Sequence, residues 1–317
     1  MNPLAVGVDI GGTKIDLVLL DTSGTVHAEH RLPTLAAEGP AAVLDRVADG
    51  ITRLLQDAPG PVSGIGIGCP GHVDPVSGVV RTAVNLGWTE VALRQEVLNR
   101  LLVDLPIACD NDVNAAALGE YYFGAARGLG DLVYLAVGTG LGAGALVNGH
   151  IVVGAGASAM EVGHLSFDPG GRLCRCGGHG CAEMYVAGVG LIAGAKEHRP
   201  DYPDTILPAE AAPSDILAAA RAGDALACTV MNEAAVTLGQ IMACCASLFD
   251  PAALVIGGGL GLAAADLLID PAQEAMRQRV LPDVADSVRV VRSGLERIAL
   301  GAACLAFEAQ RETNPCG

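Results

Sequence analysis

One pattern occurs twice in this chain and limits what it can fold into: an apolar strand, a Gly/Thr turn and a second apolar strand, over residues 4–20 and again over 132–147. In the first copy Leu4 to Asp9 reads as a buried strand, Ile10-Gly11-Gly12-Thr13 as the turn, and Ile15 to Leu20 as the returning strand. In the second, Leu132 to Val137 passes through Gly138-Thr139-Gly140 into Gly142 to Val147. Between and after them the apolar spacing turns helical, at 40–57, 91–103, 113–123, 182–195, 213–222 and 224–249, with further strands at 26–32, 62–68, 106–109, 253–256 and 288–291. Two α/β domains are the expectation for such a repeat in 317 residues. A composition that is 51% hydrophobic but only 3% aromatic fits tight packing of small side chains and excludes a disordered chain.

The formal net charge of −16 argues against nucleic acid or an anionic membrane as partner, because both demand a basic surface. Lys14 and Lys196 are the only lysines, so Lys14 stands out beside the first Gly/Thr turn. The opening residues lack a basic n-region and Asp9 interrupts their apolar run, so no signal peptide is expected. Reduced thiols and a cytoplasmic location follow as expectations. Of the ten cysteines, Cys69, Cys109, Cys228, Cys244, Cys245, Cys304 and Cys316 lie mostly in apolar runs, where Cys acts as a small hydrophobe.

The other three fall in the stretch from Glu161 to Glu183. His164, Cys174, Cys176 and Cys181 are spaced His-x9-Cys-x-Cys-x4-Cys, with glycines that let the chain wrap round one point. One imidazole and three thiolates complete a tetrahedral zinc site with no position left for an activated water, which makes the expected zinc structural. The competing readings are a disulfide or a chance grouping. Zinc here would hold Glu161 and Glu183, at the two ends of the loop, close together.

Three further motifs each carry two readings. Asp9-Ile10-Gly11-Gly12-Thr13-Lys14 is either an ordinary hairpin turn or a nest of N–H groups for phosphate, with Asp9 as a magnesium carboxylate acting through water. The second Gly/Thr turn favours phosphate gripped from both sides. In Asp110-Asn111-Asp112, at a strand-to-helix junction, Asp112 is either a helix cap or a general base, with Asn111 orienting a substrate. Gly257-Gly258-Gly259 either lets a flat ligand approach or makes a tight strand–helix turn.

Taken together the motifs resemble the ROK family (repressors, open reading frames, kinases). DIGGTK, PGHVD at 70–74, NLGW at 85–88, NDVNAAALGE at 111–120, GTGLGAG at 138–144, the E-x-x-H…CxCGxxGCxE loop and LVIGGGL at 254–260 match in family order over nearly the whole chain. The resemblance implies two actin-like (RNase H-like) ATPase domains with an interdomain active-site cleft. The expected division is residues 1–112, joined by the closing helix 296–317, and residues 113–295. It implies an ATP- and Mg2+-dependent kinase for the 6-hydroxyl of a hexose such as glucose. Gly11, Gly12, Thr13, Gly138, Thr139 and Gly140 would handle ATP phosphates, with Asp9 and Lys14 beside them, and Gly257 and Gly258 would lie near the adenosine. Asp112 would be the base. Asn111, Glu161, His164 and Glu183 would bind sugar hydroxyls, with contacts from Gly71 and Asn85. A homo-oligomer, dimer or tetramer, is expected.

Two positions depart from the family pattern: Met160 where a Gly usually precedes the first Glu, and Ala182 where an aromatic usually precedes the second. Either Met160 refills the space left at Ala182 or the pocket is reshaped. We expect reshaping, so that an amino-hexose (N-acetylmannosamine or 3-amino-3-deoxyglucose) or a cyclitol competes with glucose. The rival from another class is a sugar-responsive transcriptional regulator. Such members carry a helix-turn-helix domain ahead of DIGGT, whereas Asp9 here lies almost at the start.

Overall fold

The computed structural model describes residues 2–313; Cys316 and the end of the expected closing helix lie outside them. The chain divides into two compact units, residues 1–128 with 151–159 and 294–317, and residues 129–150 with 160–293.

The first unit opens with β1 (Leu4–Ile10), β2 (Lys14–Asp21) and β3 (Val26–Pro33), followed by α1 (Pro40–Gln56) and β4 (Val62–Cys69). An antiparallel three-stranded sheet comes next, β5 (His72–Asp74), β6 (Val79–Ala83) and β7 (Trp88–Val91). Then follow α2 (Leu93–Arg100), β8 (Ile107–Asn111) and α3 (Asp112–Tyr122). The main sheet has the order β3-β2-β1-β4-β8, antiparallel across the two hairpins and parallel from β1 through β4 to β8. Because β1 is buried along its whole length, its residues are apolar or Gly without alternation, apart from Asp9 near its end.

The second unit has β9 (Leu132–Val137), β10 (Leu141–Val147) and β11 (His150–Ile151), then the Cys-rich loop. Helices α4 (Glu183–Val186), α5 (Gly188–His198), α6 (Pro213–Arg221) and α7 (Ala225–Phe249) lead to β12 (Ala253–Gly257). After it come α8 (Gly259–Ala263), α9 (Ala265–Arg277), α10 (Pro282–Ser287) and β13 (Arg289–Arg292). Its sheet, β11-β10-β9-β12-β13, repeats the order and strand directions of the first. By length and hydropathy α7 could cross a membrane, but 61% of its most apolar window is buried, as in the core helix of a layered α/β unit.

The chain returns to the first unit as α11 (Ile298–Thr313). This Ala-rich helix lies directly on backbone. A Cβ at Gly7 in β1 would stand 2.0 Å from the Ala299 carbonyl, and one at Gly66 in β4 would stand 1.8 Å from that of Ala302. On its other side a Cβ at Gly301 would stand 1.9 Å from the Ala115 carbonyl in α3. This packing is why the first unit runs on through α3 to Gly128, past the division expected at Asp112. Residues 151–159 group with the first unit as well, His72 Nε2 of β5 standing 2.7 Å from the Gly156 carbonyl.

Three local expectations differ from the structure. The helix expected over 91–103 is confined to Leu93–Arg100, since Val91 pairs with Val80 in the small sheet. The helix expected over 182–195 breaks at Ala187, and Gly190 packs where a Cβ would be 2.5 Å from the Met184 backbone. The run after Gly259, whose sequence reads as one helix to about Arg279, breaks likewise at Ala264. Gly301→Val should cost about 1–3 kcal/mol through forced separation of α3 from α11. A lowered urea midpoint with an unchanged slope is the expected reading.

Candidate active site and metal centre

In the first unit the strand ends bring one set together. Asp9 stands near the end of β1, and Asp112 begins α3 directly after β8. Asn111, not Asp112, caps that helix: its Oδ1 accepts from the Val113 N–H at 2.8 Å. The Asn111 Nδ2 donates to the Gly71 carbonyl at 2.8 Å, and Gly71 has a left-handed backbone with φ 89°. Both ends of the Asn111 amide are thereby fixed, with one N–H still to give. Asp112 is free of capping duty and only half-buried. The first Gly/Thr turn closes when Gly11 N–H donates to the Lys14 carbonyl at 2.9 Å, which leaves Gly12, Thr13 and Lys14 exposed. Asn85 comes within 3.6 Å of the place a Gly12 Cβ would take.

Burial and then the nearby Asp112 push the Asp9 carboxyl up to about 7. Burial pushes Asp112 up to about 6, against the opposing pull of the Val113 N–H. A carboxyl with that value is ionised at neutral pH yet basic enough to take up a proton. Asp110, also buried, is raised to about 6 while its Oδ1 accepts from Asn111 N–H at 2.6 Å and Asn114 Nδ2 at 2.9 Å. For Asp9 alone neighbouring carboxylates add to the effect of burial, and a bound cation would relieve that part.

In the second unit His164, Cys174, Cys176 and Cys181 come together, with all four donor atoms within 4.8 Å of one another. The Cys176 and Cys181 sulfurs are 3.6 Å apart, and the Cys174 sulfur is 3.7 Å from His164 Nδ1. A tetrahedral zinc with bonds of ~2.0–2.3 Å needs ligand separations of about 3.3–3.8 Å, so the cluster fits that ion closely. All the described cysteines are free thiols, which removes the disulfide reading. His164 Nε2 points the other way, 4.0 Å from Glu161 Oε2. Glu183 begins α4; its Oε2 accepts the Leu141 N–H at 3.1 Å and lies over Gly140, where a Cβ would come within 2.6 Å of it. The second Gly/Thr turn and the metal loop are therefore joined through one carboxylate. Gly138 N–H donates to the Gly140 carbonyl at 2.9 Å and leaves Thr139 exposed.

Gly257 and Gly258 have an internal reason to be glycine. A Cβ at Gly257 would be 2.1 Å from the Tyr134 hydroxyl, and Gly258, with φ 79°, would put one 2.3 Å from the Val137 carbonyl. Open space lies instead at Gly259, where a Cβ would meet nothing within 4 Å. The tight-turn reading of this motif therefore has a structural basis. The two family departures are packed as well: Ala182 is 0% and Met160 9% exposed. The methyl of Ala182 is thus closed off from solvent. Met160 carries a cost, for it adopts φ 66°, a left-handed backbone that favours glycine.

Sequence reasoning passed over Asp110, Glu120 and Arg172. Glu120 is fully buried and accepts from the N–H groups of Ala125, Gly294 and Leu295. Asp110 and Glu120 sit inside quoted motifs, so burial of their strand and helix was the available signal. Arg172 binds residues far along the chain, and no spacing rule reveals it.

The sequence model of the ROK family matches residues 5–309, and the chain belongs to that family. A glucokinase of Streptomyces coelicolor is 34% identical, over 96% of this chain and 98% of its own. A xylose repressor of Caldicellulosiruptor bescii is 31% identical, over 95% of this chain and 77% of its own. Among solved structures, the ROK hexokinase of Thermus thermophilus superposes with a TM-score of 0.87 at 31% identity, covering 98% of this chain and 99% of the other. A ROK glucokinase of Streptomyces griseus in complex with glucose and AMPPNP gives 0.78 at 32%, covering 96% and 99%. The fold is that of the ROK sugar kinases, of actin-like type, as the paired sheets indicate.

A raised carboxyl pKa favours the folded state while the group is protonated. For Asp9, that stability is fully present below the unfolded value of 3.8 and is lost as pH rises through about 7. In protein freed of divalent cations, Asp9→Asn should match wild type near pH 4. Above pH 7 it should be more stable by about 2–4 kcal/mol. Thermal melts across that range would show the gap widening, and a constant gap would mean that the Asp9 carboxyl is not raised in the folded state.

Proposed function

We propose that this chain is an ATP-dependent hexose kinase that phosphorylates glucose on its 6-hydroxyl, with Asp112 as general base. The observation that carries the reading is the division of labour at the start of α3: Asn111 caps the helix, and Asp112 is left as a carboxylate of pKa about 6. Family membership and the glucokinase relatives support the sugar.

In this mechanism Asn111, Glu161, His164 and Glu183 hold the sugar hydroxyls, with Gly71 and Asn85 at the edge. The 6-hydroxyl gives its proton to Asp112 as its oxygen attacks the γ-phosphorus, and the bond from that phosphorus to the β,γ-bridging oxygen breaks, so that ADP leaves. Exposed N–H groups and hydroxyls of the turns Gly11-Gly12-Thr13 and Gly138-Thr139-Gly140, with Lys14, orient the phosphates. Gly257 and Gly258 form the wall on the adenosine side. Transfer of this kind depends on positioning and on neutralising charge, more than on covalent chemistry by the protein. Mg2+ when bound would screen the phosphoryl oxygens, and Asp9, its pKa raised by burial and then by Asp112, is the carboxylate that would hold it through water. Zn2+ when bound would close the His164–Cys174–Cys176–Cys181 site and add folding free energy. A cytoplasmic dimer or tetramer belongs to the same proposal, and sedimentation would fix the copy number.

Asp112→Asn should leave glucose and ATP affinity near wild type and lower kcat by ~10²–10⁴-fold. In wild type kcat/KM should fall with acid below about pH 6, because a protonated Asp112 cannot accept a proton. A coupled ADP-release assay measures both, and a near-native kcat in the variant would place the base elsewhere. For the metal, Cys176→Ser should reduce zinc from one per chain and raise the glucose KM, read by metal analysis alongside kinetics. Zinc-free protein with full glucose affinity would refute the structural role.

A further inference from the structure

Arg172 has no part in the chemistry above, yet it is the most heavily bonded side chain of the metal loop. Its side chain is 8% exposed. Nε donates to Glu197 Oε2 at 2.6 Å, Nη2 to Glu233 Oε2 at 2.6 Å, and Nη1 to the Met184 carbonyl at 2.8 Å. The guanidinium lies over the Tyr185 ring, 4.4 Å from its centroid. The Arg172 N–H donates to the Tyr185 hydroxyl at 3.2 Å, and that hydroxyl donates to Asp168 at 3.2 Å. Glu197 is on α5 and Glu233 on α7, while Met184 and Tyr185 are the two residues after Glu183.

We propose that Arg172 is a positioning residue for sugar recognition, holding the Glu183 carboxylate in place independently of the metal. The proposal rests on Glu183 being a sugar ligand. Helix α4 has four residues, too few to hold its own shape, so the orientation of Glu183 is set by what grips its neighbours. On the N-terminal side the grip is Cys181, two residues earlier. On the C-terminal side it is Arg172, through the Met184 carbonyl and the Tyr185 ring. The tolerance is small, because the Glu183 carboxylate rests on the Leu141 N–H and over Gly140. A planar guanidinium suits this place, since it meets two carboxylates and a carbonyl at once, which an ammonium on a flexible stem does not. The two carboxylates remain within reach of water, with Glu197 56% and Glu233 28% exposed, so an uncharged replacement at 172 does not strand a buried charge.

The test compares wild type, Arg172→Met, Arg172→Lys and Glu183→Gln, using glucose and ATP as substrates and measuring zinc per chain. For Arg172→Met the glucose KM should rise about tenfold or more, with kcat and ATP KM within about threefold. Zinc should stay at the wild-type level. Arg172→Lys should raise the glucose KM by about threefold to tenfold, and it decides the matter if the Met variant does not fold. An unchanged glucose KM in the folded variants overturns the proposal, as does a loss of zinc that parallels the loss of affinity. If Glu183→Gln leaves the glucose KM unmoved, it is the reading of Glu183 that fails. If Glu183→Gln moves it and the Arg172 variants do not, only the role of Arg172 fails.

Discussion

Helix α11 lies so close to the first sheet that side chains at Gly7 and Gly66 would strike its carbonyls, and α3 meets it through Gly119 and Gly301 with the same closeness. Contacts between backbones leave little room for relative sliding, because no side chain can change rotamer to accommodate it. The consequence is felt at the strand ends. Asp9 leaves β1 and Asp112 enters α3 from β8, and both elements are pressed to the same helix. Asp112, whose charge adds to the effect of burial in raising Asp9, is therefore held in its neighbourhood by the packing beneath them, not by any attraction between them. Strain of this kind is stored where the surrounding fold over-determines geometry.

The two units use one strand order and differ in what is inserted. In the first, the span between β4 and β8 carries the small sheet β5-β6-β7, which supplies Gly71 as partner for Asn111. In the second, the span between β11 and β12 carries the Cys-rich loop, which supplies Glu161, His164 and Glu183. The shared sheet presents a Gly/Thr turn in each half, whereas the groups proposed to meet the sugar come from the insertions and the first turn of α3. A common scaffold with function grafted onto its excursions accounts for why one family can hold both glucokinases and repressors.

Much of the frame was legible because buried parallel strands must be apolar throughout, so β1, β4, β9 and β12 announce themselves as unbroken runs. The His/Cys cluster was legible because its four residues are close in sequence. The small sheet was missed, since its strands of three to five residues are too short to establish a period of two. Spacing could not choose between Asn111 and Asp112 as the helix cap; only the direction of the Asn111 amide decides it. The conformation of Met160 was also out of reach. Family comparison marked the missing glycine, but not that the backbone would take a left-handed shape and accept a buried methionine in it. Arg172 shows the general limit, since a residue whose partners lie 25 and 61 positions away leaves no local trace.

His164 is the residue through which the proposed metal would reach the proposed sugar site. Its Nδ1 faces Cys174, and its Nε2 faces Glu161. An imidazole that gives Nδ1 to a metal must carry its remaining proton on Nε2 while neutral, so the tautomer is set by coordination. Nε2–H is then a fixed donor beside the fixed acceptor Glu161, a pair that suits a sugar hydroxyl able both to accept and to donate. Without the metal, either nitrogen could hold the proton and the ring could turn. The proposed zinc thus has an electronic consequence besides its mechanical one: it fixes which end of the histidine is a donor, and toward which carboxylate that donor is turned.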